Sequence, residues 1–201
     1  MIQACMFDMG GVVDEFSSET MERKLLRDFG VTHVDSFISL CPGLQKVLQD
    51  LTCGLVDEKQ FWLLFQEMTG VRIPDEPRLY TKYFTPVRKT DTLQVISDLK
   101  SNGVRVVAGT NVEPPHRLWH EQRNDYAIFD MTYTSDALHL AKPDPAFFIE
   151  IAKRENLKPE EFFFTDDRLD NVEAARSVGM HGYQFHSAQE LRAKLQALAL
   201  L

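Results

Sequence analysis

Five short apolar segments that alternate with helical patterns constrain the fold of this chain more than any other feature. We predict strands at residues 2–7, 104–108, 128–131, 161–164 and 180–185. Short apolar strands separated by helices form a parallel sheet that is covered on both faces. The sequence therefore predicts an α/β fold around one parallel sheet.

The alternation breaks once, directly after the first predicted strand. Residues 16–85 have a helical pattern almost throughout and contain no convincing strand. Within them, Asp57 is a good N-cap for one helix and Gly70 is a good stop signal for it. We expect residues 16–85 to form a small helical cap, inserted into a discontinuous core of residues 1–15 and 86–201.

Composition disfavours several classes of protein and partner. Apolar residues make up 44% of the chain and charged residues 26%, as in ordinary globular domains. The formal net charge of −8 disfavours nucleic acid or an anionic membrane as a partner. Three cysteines without a closely spaced pair, and no visible targeting or transmembrane segment, favour a reduced, cytoplasmic protein. The sequence leaves open whether the chain is a monomer or a homodimer.

Polar side chains stand at the carboxyl ends of the predicted strands, which is the edge where such sheets bind ligands. They are Asp8, Thr110, Asn111, Asp166 and Asp167, with Lys142 on a nearby loop. A carboxylate can attack phosphorus as a nucleophile, and clustered carboxylates suit Mg²⁺. A hydroxyl and an ammonium group suit phosphate oxygens. We expect these side chains to converge on one cleft.

The same residues fall into four motifs whose order resembles a known family. The motifs are Phe7-Asp8-Met9-Gly10-Gly11-Val12-Val13, Gly109-Thr110-Asn111, Ala141-Lys142-Pro143-Asp144, and Phe164-Thr165-Asp166-Asp167 through Asn171. Over essentially its whole length the chain resembles the haloacid dehalogenase-like (HAD) hydrolases, which have a Rossmann-like core and, in one subfamily, an inserted all-helical cap. Within that superfamily it is most similar to the α-D-glucose-1-phosphate phosphatase-like proteins.

The resemblance implies a Mg²⁺-dependent phosphatase of a small phosphorylated metabolite, with a sugar phosphate as the first hypothesis. Asp8 would be the nucleophile, forming an aspartyl-phosphate, and would also bind the metal. Thr110 and Lys142 would be catalytic and hold the phosphoryl group, with Asn111 assisting. The other implied metal-site residues are Gly10 through its carbonyl, Asp167 as a direct ligand, Asp166 behind it, and Asn171 near a metal-bound water.

Gly10 departs from the pattern of most phosphatases in this family, which carry a catalytic aspartate two residues after the nucleophile. General acid–base catalysis contributes about 10²–10⁴-fold, so we expect substrates whose leaving group departs readily. Asp14, Glu15 or water are the candidates to replace the missing acid. Two other functions stay open: a 2-haloacid dehalogenase, and a non-catalytic metabolite-binding protein that has lost the acid.

Two histidines, His116 and His120, lie four residues apart on a predicted helix. This spacing occurs in metal-binding helices, but no third ligand has a comparable position. We therefore predict that the pair lies on an exposed helical face. Because His116 closely follows Thr110 and Asn111, a substrate contact by His116 is the second interpretation.

Overall fold

A computed structural model describes all 201 residues of the chain. In chain order the strands and helices are β1 (Ala4–Phe7), β2 (Asp14–Glu15), α1 (Met21–Asp28), α2 (Phe37–Leu40), α3 (Leu44–Thr52), α4 (Glu58–Thr69), β3 (Val87–Arg88), α5 (Thr90–Ser101), β4 (Arg105–Thr110), α6 (Pro114–Gln122), β5 (Met131–Thr134), α7 (Ser135–Leu138), α8 (Pro145–Arg154), β6 (Phe162–Asp166), α9 (Leu169–Ser177), β7 (His181–Gln184) and α10 (Ala188–Ala197). Short 3₁₀ turns lie at Leu79–Thr81, Asp125–Ile128 and Pro159–Glu161. None of the helices combines the length and the apolar character needed to cross a bilayer.

Five strands form one parallel sheet in the order β5-β4-β1-β6-β7, with β1 at its centre. Successive residues of a strand point to opposite faces of the sheet. Cys5 and Phe7 therefore pack into one hydrophobic cluster, and Ala4 and Met6 pack into another on the opposite face. All four side chains are fully buried, as expected of a sheet covered on both sides. The predicted α/β fold class is confirmed.

The helices between β2 and β3 pack around a hydrophobic cluster of their own. Helix α4 begins after Asp57, which forms a reciprocal capping box with Gln60, and ends at Gly70 in the left-handed conformation. Both ends agree with the sequence prediction. The centre of the cluster is aromatic, with ring centroids 4.8–6.2 Å apart in the pairs formed around one residue, Phe61.

A two-stranded antiparallel ribbon of β2 and β3 lies where the chain passes between the helical stretch and the sheet. Beside it, Lys89 donates from Nζ to the carbonyl of Gly11 at 2.6 Å. The sequence predicts no strand at either place, because two residues carry no readable periodicity. The ribbon lies at the two borders between the predicted core, residues 1–15 and 86–201, and the predicted cap, residues 16–85. This division into core and cap stays a prediction.

The predicted strand at residues 128–131 is displaced in the structure. Strand β5 spans Met131–Thr134, whereas Asp125–Ile128 forms a 3₁₀ turn. Tyr126 and Ile128 of that turn pack against the hydrophobic cluster on one face of the sheet. Partly buried apolar residues of this turn therefore give the same sequence signal as a strand.

We expect Phe61→Ala to lower the free energy of unfolding by about 3–5 kcal/mol, because Phe61 is fully buried among aromatic rings. The matched control is Leu63→Ala on the same helix, where the leucine is exposed and the change should stay within about 0.5 kcal/mol. Urea denaturation followed by circular dichroism measures both. Equal losses in the two variants would contradict the aromatic core.

Candidate active site

Three carboxylates meet at the carboxyl ends of β1 and β6. Asp8 follows β1, Asp166 ends β6 and Asp167 comes next; one oxygen of each lies within 4.8 Å of the others. Asp166 is fully buried, Asp8 is almost fully buried, and Asp167 is exposed. Like charges at this separation repel one another unless a cation lies between them. Clustered carboxylate oxygens are the hard ligands that Mg²⁺ prefers, so this residue set fits the implied metal.

Lys142 supplies positive charge to this cluster. Its Nζ lies 2.7 Å from Asp8 Oδ1 and 2.7 Å from Asp166 Oδ2. Burial lowers the pKa of Lys142, but the two carboxylates outweigh it and raise that pKa above its usual value. Burial and the nearby Asp166 together raise the pKa of Asp8 to about 6, against the lowering effect of Lys142. One ammonium group does not balance the charge of three carboxylates, so the cluster can bind a further cation.

Asp166 and Asp167 make different contacts although they are neighbours in the chain. Asp166 accepts hydrogen bonds from Lys142 Nζ at 2.7 Å, from the Asn171 amide at 3.0 and 3.1 Å, and from the Arg168 N–H at 2.9 Å. These donors occupy both oxygens of Asp166. Burial raises the pKa of Asp167, and Asp166 raises it further. Asp166 is thus placed to hold Lys142 and Asn171, while Asp167 faces the open cleft.

Asn111 holds the chain segment that carries Lys142. The Asn111 Nδ2 donates to the carbonyl of Lys142 at 2.8 Å, and Oδ1 accepts from the Lys142 N–H at 2.9 Å. The side chain therefore positions the backbone of Lys142, a role that the sequence does not reveal. Thr110 ends β4 and is buried, and it lines the cavity beside the charged cleft rather than the cleft itself.

Gly11 makes room for Asp167. It has φ +75°, and a Cβ built there would lie 2.3 Å from Asp167 Oδ2. Only a glycine combines this backbone conformation with so close an approach. Its neighbour Gly10, the predicted carbonyl ligand, lines both the charged cleft and the adjoining cavity.

A cavity of about 460 Å³ adjoins the charged cleft. Gly10, Phe16 and Asn111 line both spaces, so a molecule held at Asp8 can extend into the cavity.

The two acidic side chains that could replace the missing general acid, Asp14 and Glu15, lie in different surroundings. Asp14 is buried in the cavity wall, where burial raises its pKa to about 6 against the effect of Arg88. Glu15 is exposed and lines the cleft.

The prediction that His116 and His120 lie on an exposed helical face is wrong, because both are buried. The ring nitrogens of His116 lie 3.0 Å from Glu113 Oε2 and 3.0 Å from the carbonyl oxygen of Tyr80. Tyr80 belongs to the aromatic cluster around Phe61, so α6 is covered by residues distant in sequence that its own pattern cannot reveal. His116 lines the cavity, and its predicted substrate contact stays a prediction.

Comparison with known proteins identifies the family. The haloacid dehalogenase-like hydrolase model matches residues 2–179. A sesquiterpene phosphatase of Aspergillus oryzae is 30% identical, over 90% of this chain and 88% of that protein. A D-ribitol-5-phosphate phosphatase of Bacteroides thetaiotaomicron is 22% identical, over 98% of both. A drimenol cyclase of Aspergillus calidoustus is 33% identical over 97% of this chain, which spans 36% of that protein.

Solved structures share the fold. A HAD family enzyme of Bacteroides thetaiotaomicron, in its magnesium complex, has a TM-score of 0.74 and 22% identity, covering 92% of this chain and 93% of that one. The chain belongs to the haloacid dehalogenase-like hydrolases and is an enzyme of the hydrolase class, so the resemblance at family level is confirmed. The narrower similarity to α-D-glucose-1-phosphate phosphatase-like proteins stays a prediction.

We expect Lys142→Met to lower the free energy of unfolding by about 3–5 kcal/mol in metal-free buffer, because Asp8 and Asp166 lose their buried counter-charge. Lys46→Met is the control, since Lys46 pairs with Asp50 at the surface and should contribute less than about 1 kcal/mol. Urea denaturation measures both variants. A loss below 1 kcal/mol for Lys142→Met would show that this ion pair is not needed for stability.

We expect Asp167→Asn to remove the stabilisation that Mg²⁺ gives, while leaving the metal-free protein at least as stable, because one of three repelling carboxylates becomes neutral. In the unsubstituted protein, Mg²⁺ at 100 times its Kd should add about 2.7 kcal/mol. The matched control is Asp170→Asn, three residues along, which pairs with Arg168 on the surface. Thermal unfolding with Mg²⁺ or EDTA measures the effect, and a retained Mg²⁺ response would exclude Asp167 as a ligand.

Proposed function

We propose that this hydrolase is a Mg²⁺-dependent phosphatase of a small phosphorylated metabolite, and that Asp8 is its nucleophile. The observation that carries the proposal is the position of Asp8, which is buried at the end of the central strand and held at 2.7 Å by Lys142 within the carboxylate cluster. Phosphatase relatives support the same reaction class.

The proposed hydrolysis has two steps, and Asp8 attacks phosphorus in the first of them. Lys142 contacts Oδ1 of Asp8, so the other oxygen, Oδ2, forms the new bond to phosphorus while the bond to the leaving oxygen breaks. The leaving alkoxide takes up a proton to become an alcohol. Water then attacks the aspartyl-phosphate, which regenerates Asp8 and releases inorganic phosphate.

The Asp8 and Asp167 carboxylates and the Gly10 carbonyl would hold Mg²⁺, which supplies positive charge to the phosphoryl oxygens. Lys142 stabilises charge that develops on those oxygens, and Asp166 and Asn111 keep Lys142 in place. Thr110 and Asn171 complete the proposed set, the first beside the phosphoryl group and the second near a metal-bound water. The contacts of Lys142 with Asp166 and Asn111 support its role, whereas the roles of Thr110 and Asn171 rest on the resemblance to the family.

The relatives do not indicate one organic group for the substrate. One is named for a sesquiterpene and another for the phosphate of a sugar alcohol. A sugar phosphate is the hypothesis that comes from the sequence, and Asp14, Glu15 or water is the source of the proton. We further propose a cytoplasmic protein that acts as a monomer or a homodimer.

Two alternatives make different demands on the site. A 2-haloacid dehalogenase attacks carbon and needs no metal, so a cluster of three carboxylates gives it no advantage and costs charge repulsion. A non-catalytic binding protein needs neither a nucleophile nor an ammonium group poised against it. The retained pair of Asp8 and Lys142 therefore favours the phosphatase.

We expect p-nitrophenyl phosphate to be hydrolysed in the presence of Mg²⁺, because its leaving group needs little protonation and the absence of an acid at Gly10 should not limit the rate. Asp8→Asn should lower kcat/KM by about 10³-fold or more, and EDTA should abolish turnover by the unsubstituted enzyme. Release of p-nitrophenolate, followed by absorbance, measures the rate.

Asp50→Asn neutralises a partly exposed carboxylate that lines neither the cleft nor the cavity, so it is the control for the charge change and should keep full activity. If no turnover exceeds the Asp8→Asn background, the phosphatase proposal fails. Chloride release from chloroacetate without metal would then indicate the dehalogenase, and its absence would indicate the binding protein.

A further inference from the structure

The cavity beside Asp8 has polar side chains in its wall, but most of them are bonded to other protein groups. Glu113 accepts from the Thr52 hydroxyl at 3.0 Å and lies 3.0 Å from His116, whose second ring nitrogen faces the carbonyl of Tyr80. Glu22 accepts from a main-chain N–H of α2 at 2.8 Å. These groups hold the helices together and offer a ligand little free hydrogen-bonding capacity.

The rest of the wall is apolar and comes from three parts of the chain. It consists mainly of Met9, Phe16, Met21, Tyr80, Phe84 and Val112. Met9 follows the nucleophile directly, and Phe16 lies at the junction with the charged cleft. An apolar surface therefore begins next to the phosphate position and continues to the helices that cover the cavity.

Two polar side chains of the wall have fully buried atoms without a hydrogen-bond partner, and both lie beside His120. The Asp14 carboxylate oxygens and the Tyr126 hydroxyl accept or donate no hydrogen bond. Asp14 faces Arg88 Nε at 3.4 Å, which supplies a counter-charge, and His120 Nε2 lies 3.9 Å away. Asp14 and Tyr126 therefore offer a ligand two acceptor oxygens and one hydroxyl. A sugar carries several hydroxyls, and each one buried without a partner would cost binding free energy.

We propose that the organic group released from the substrate is mainly hydrocarbon, with the phosphate at Asp8 and an apolar chain or ring system in the cavity of about 460 Å³. This proposal rests on the proposed function, because it names the group that the same site would release. The cavity volume falls within the usual range for small-molecule sites. A buried methylene contributes about 0.8 kcal/mol, equivalent to about fourfold in binding.

The test is a series of n-alkyl monophosphates from ethyl to decyl, kept below their micellar concentrations, with glucose 6-phosphate and glycerol 3-phosphate as polar comparisons. All are esters of primary alcohols, so differences in leaving group do not affect the comparison. Phosphate release with Mg²⁺ gives kcat/KM for each ester. We expect kcat/KM to rise about fourfold per methylene until the cavity is filled. The longer alkyl esters should exceed both polar esters by about 100-fold or more.

Two isosteric variants test whether the cavity is responsible. Met21→Gln places an amide in the apolar wall and should lower the ratio of decyl to ethyl phosphate turnover by about tenfold. Met68→Gln makes the same change on an exposed part of α4, outside the cavity, and should leave that ratio unchanged. Circular dichroism confirms that both variants are folded.

The outcomes separate this inference from the proposed function. Hydrolysis of p-nitrophenyl phosphate that depends on Asp8 and Mg²⁺, combined with no dependence on chain length, would overturn the hydrocarbon assignment alone. Faster turnover of glucose 6-phosphate than of decyl phosphate would do the same. If no ester, p-nitrophenyl phosphate included, is hydrolysed, the phosphatase itself is overturned.

Discussion

The ion pairs of Lys142 with Asp8 and Asp166 are the interactions on which the rest of the site depends. Buried carboxylates are costly unless they are paired, and these two come from neighbouring strands. The register of β1 and β6 pairs Phe7 with Thr165, so Asp8 and Asp166 leave the sheet side by side. Asn111, at the end of the strand on the other side of β1, fixes the Lys142 backbone. Three adjacent strands thus create one charged centre.

The charged centre could be located from the sequence because its members occupy equivalent places in a repeating pattern. An apolar strand followed by a turn marks its own carboxyl end, and parallel strands bring those ends together. The sequence therefore predicts, without knowledge of contacts, that Asp8, Asp166 and Asp167 converge, while their separate roles come from the resemblance to the family. The same logic left the role of Asn111 incomplete, since its bonds to the Lys142 backbone depend on a loop 31 residues away.

Where sequence and structure differ, the deciding contacts join segments that are far apart in the chain. His116 and His120 are buried because residues near Tyr80 and Asp125 pack against α6, and the pattern of α6 alone indicates a solvated face. The predicted strand at residues 128–131 begins in the 3₁₀ turn and ends in β5, because partly buried apolar residues give the same sequence signal in a turn and in a strand. Local periodicity records that a residue is buried, but not which element covers it.

Gly10 links the two halves of the site, which differ sharply in polarity. On one side lie three carboxylates and Lys142, and on the other lies a mainly apolar cavity. A side chain at position 10 would meet the Phe16 ring at 3.4 Å, at the junction between them. A carboxylate there would add negative charge beside Asp8 and occupy space at this junction. The glycine that leaves position 10 without an acid therefore also leaves the junction between the two halves without a side chain.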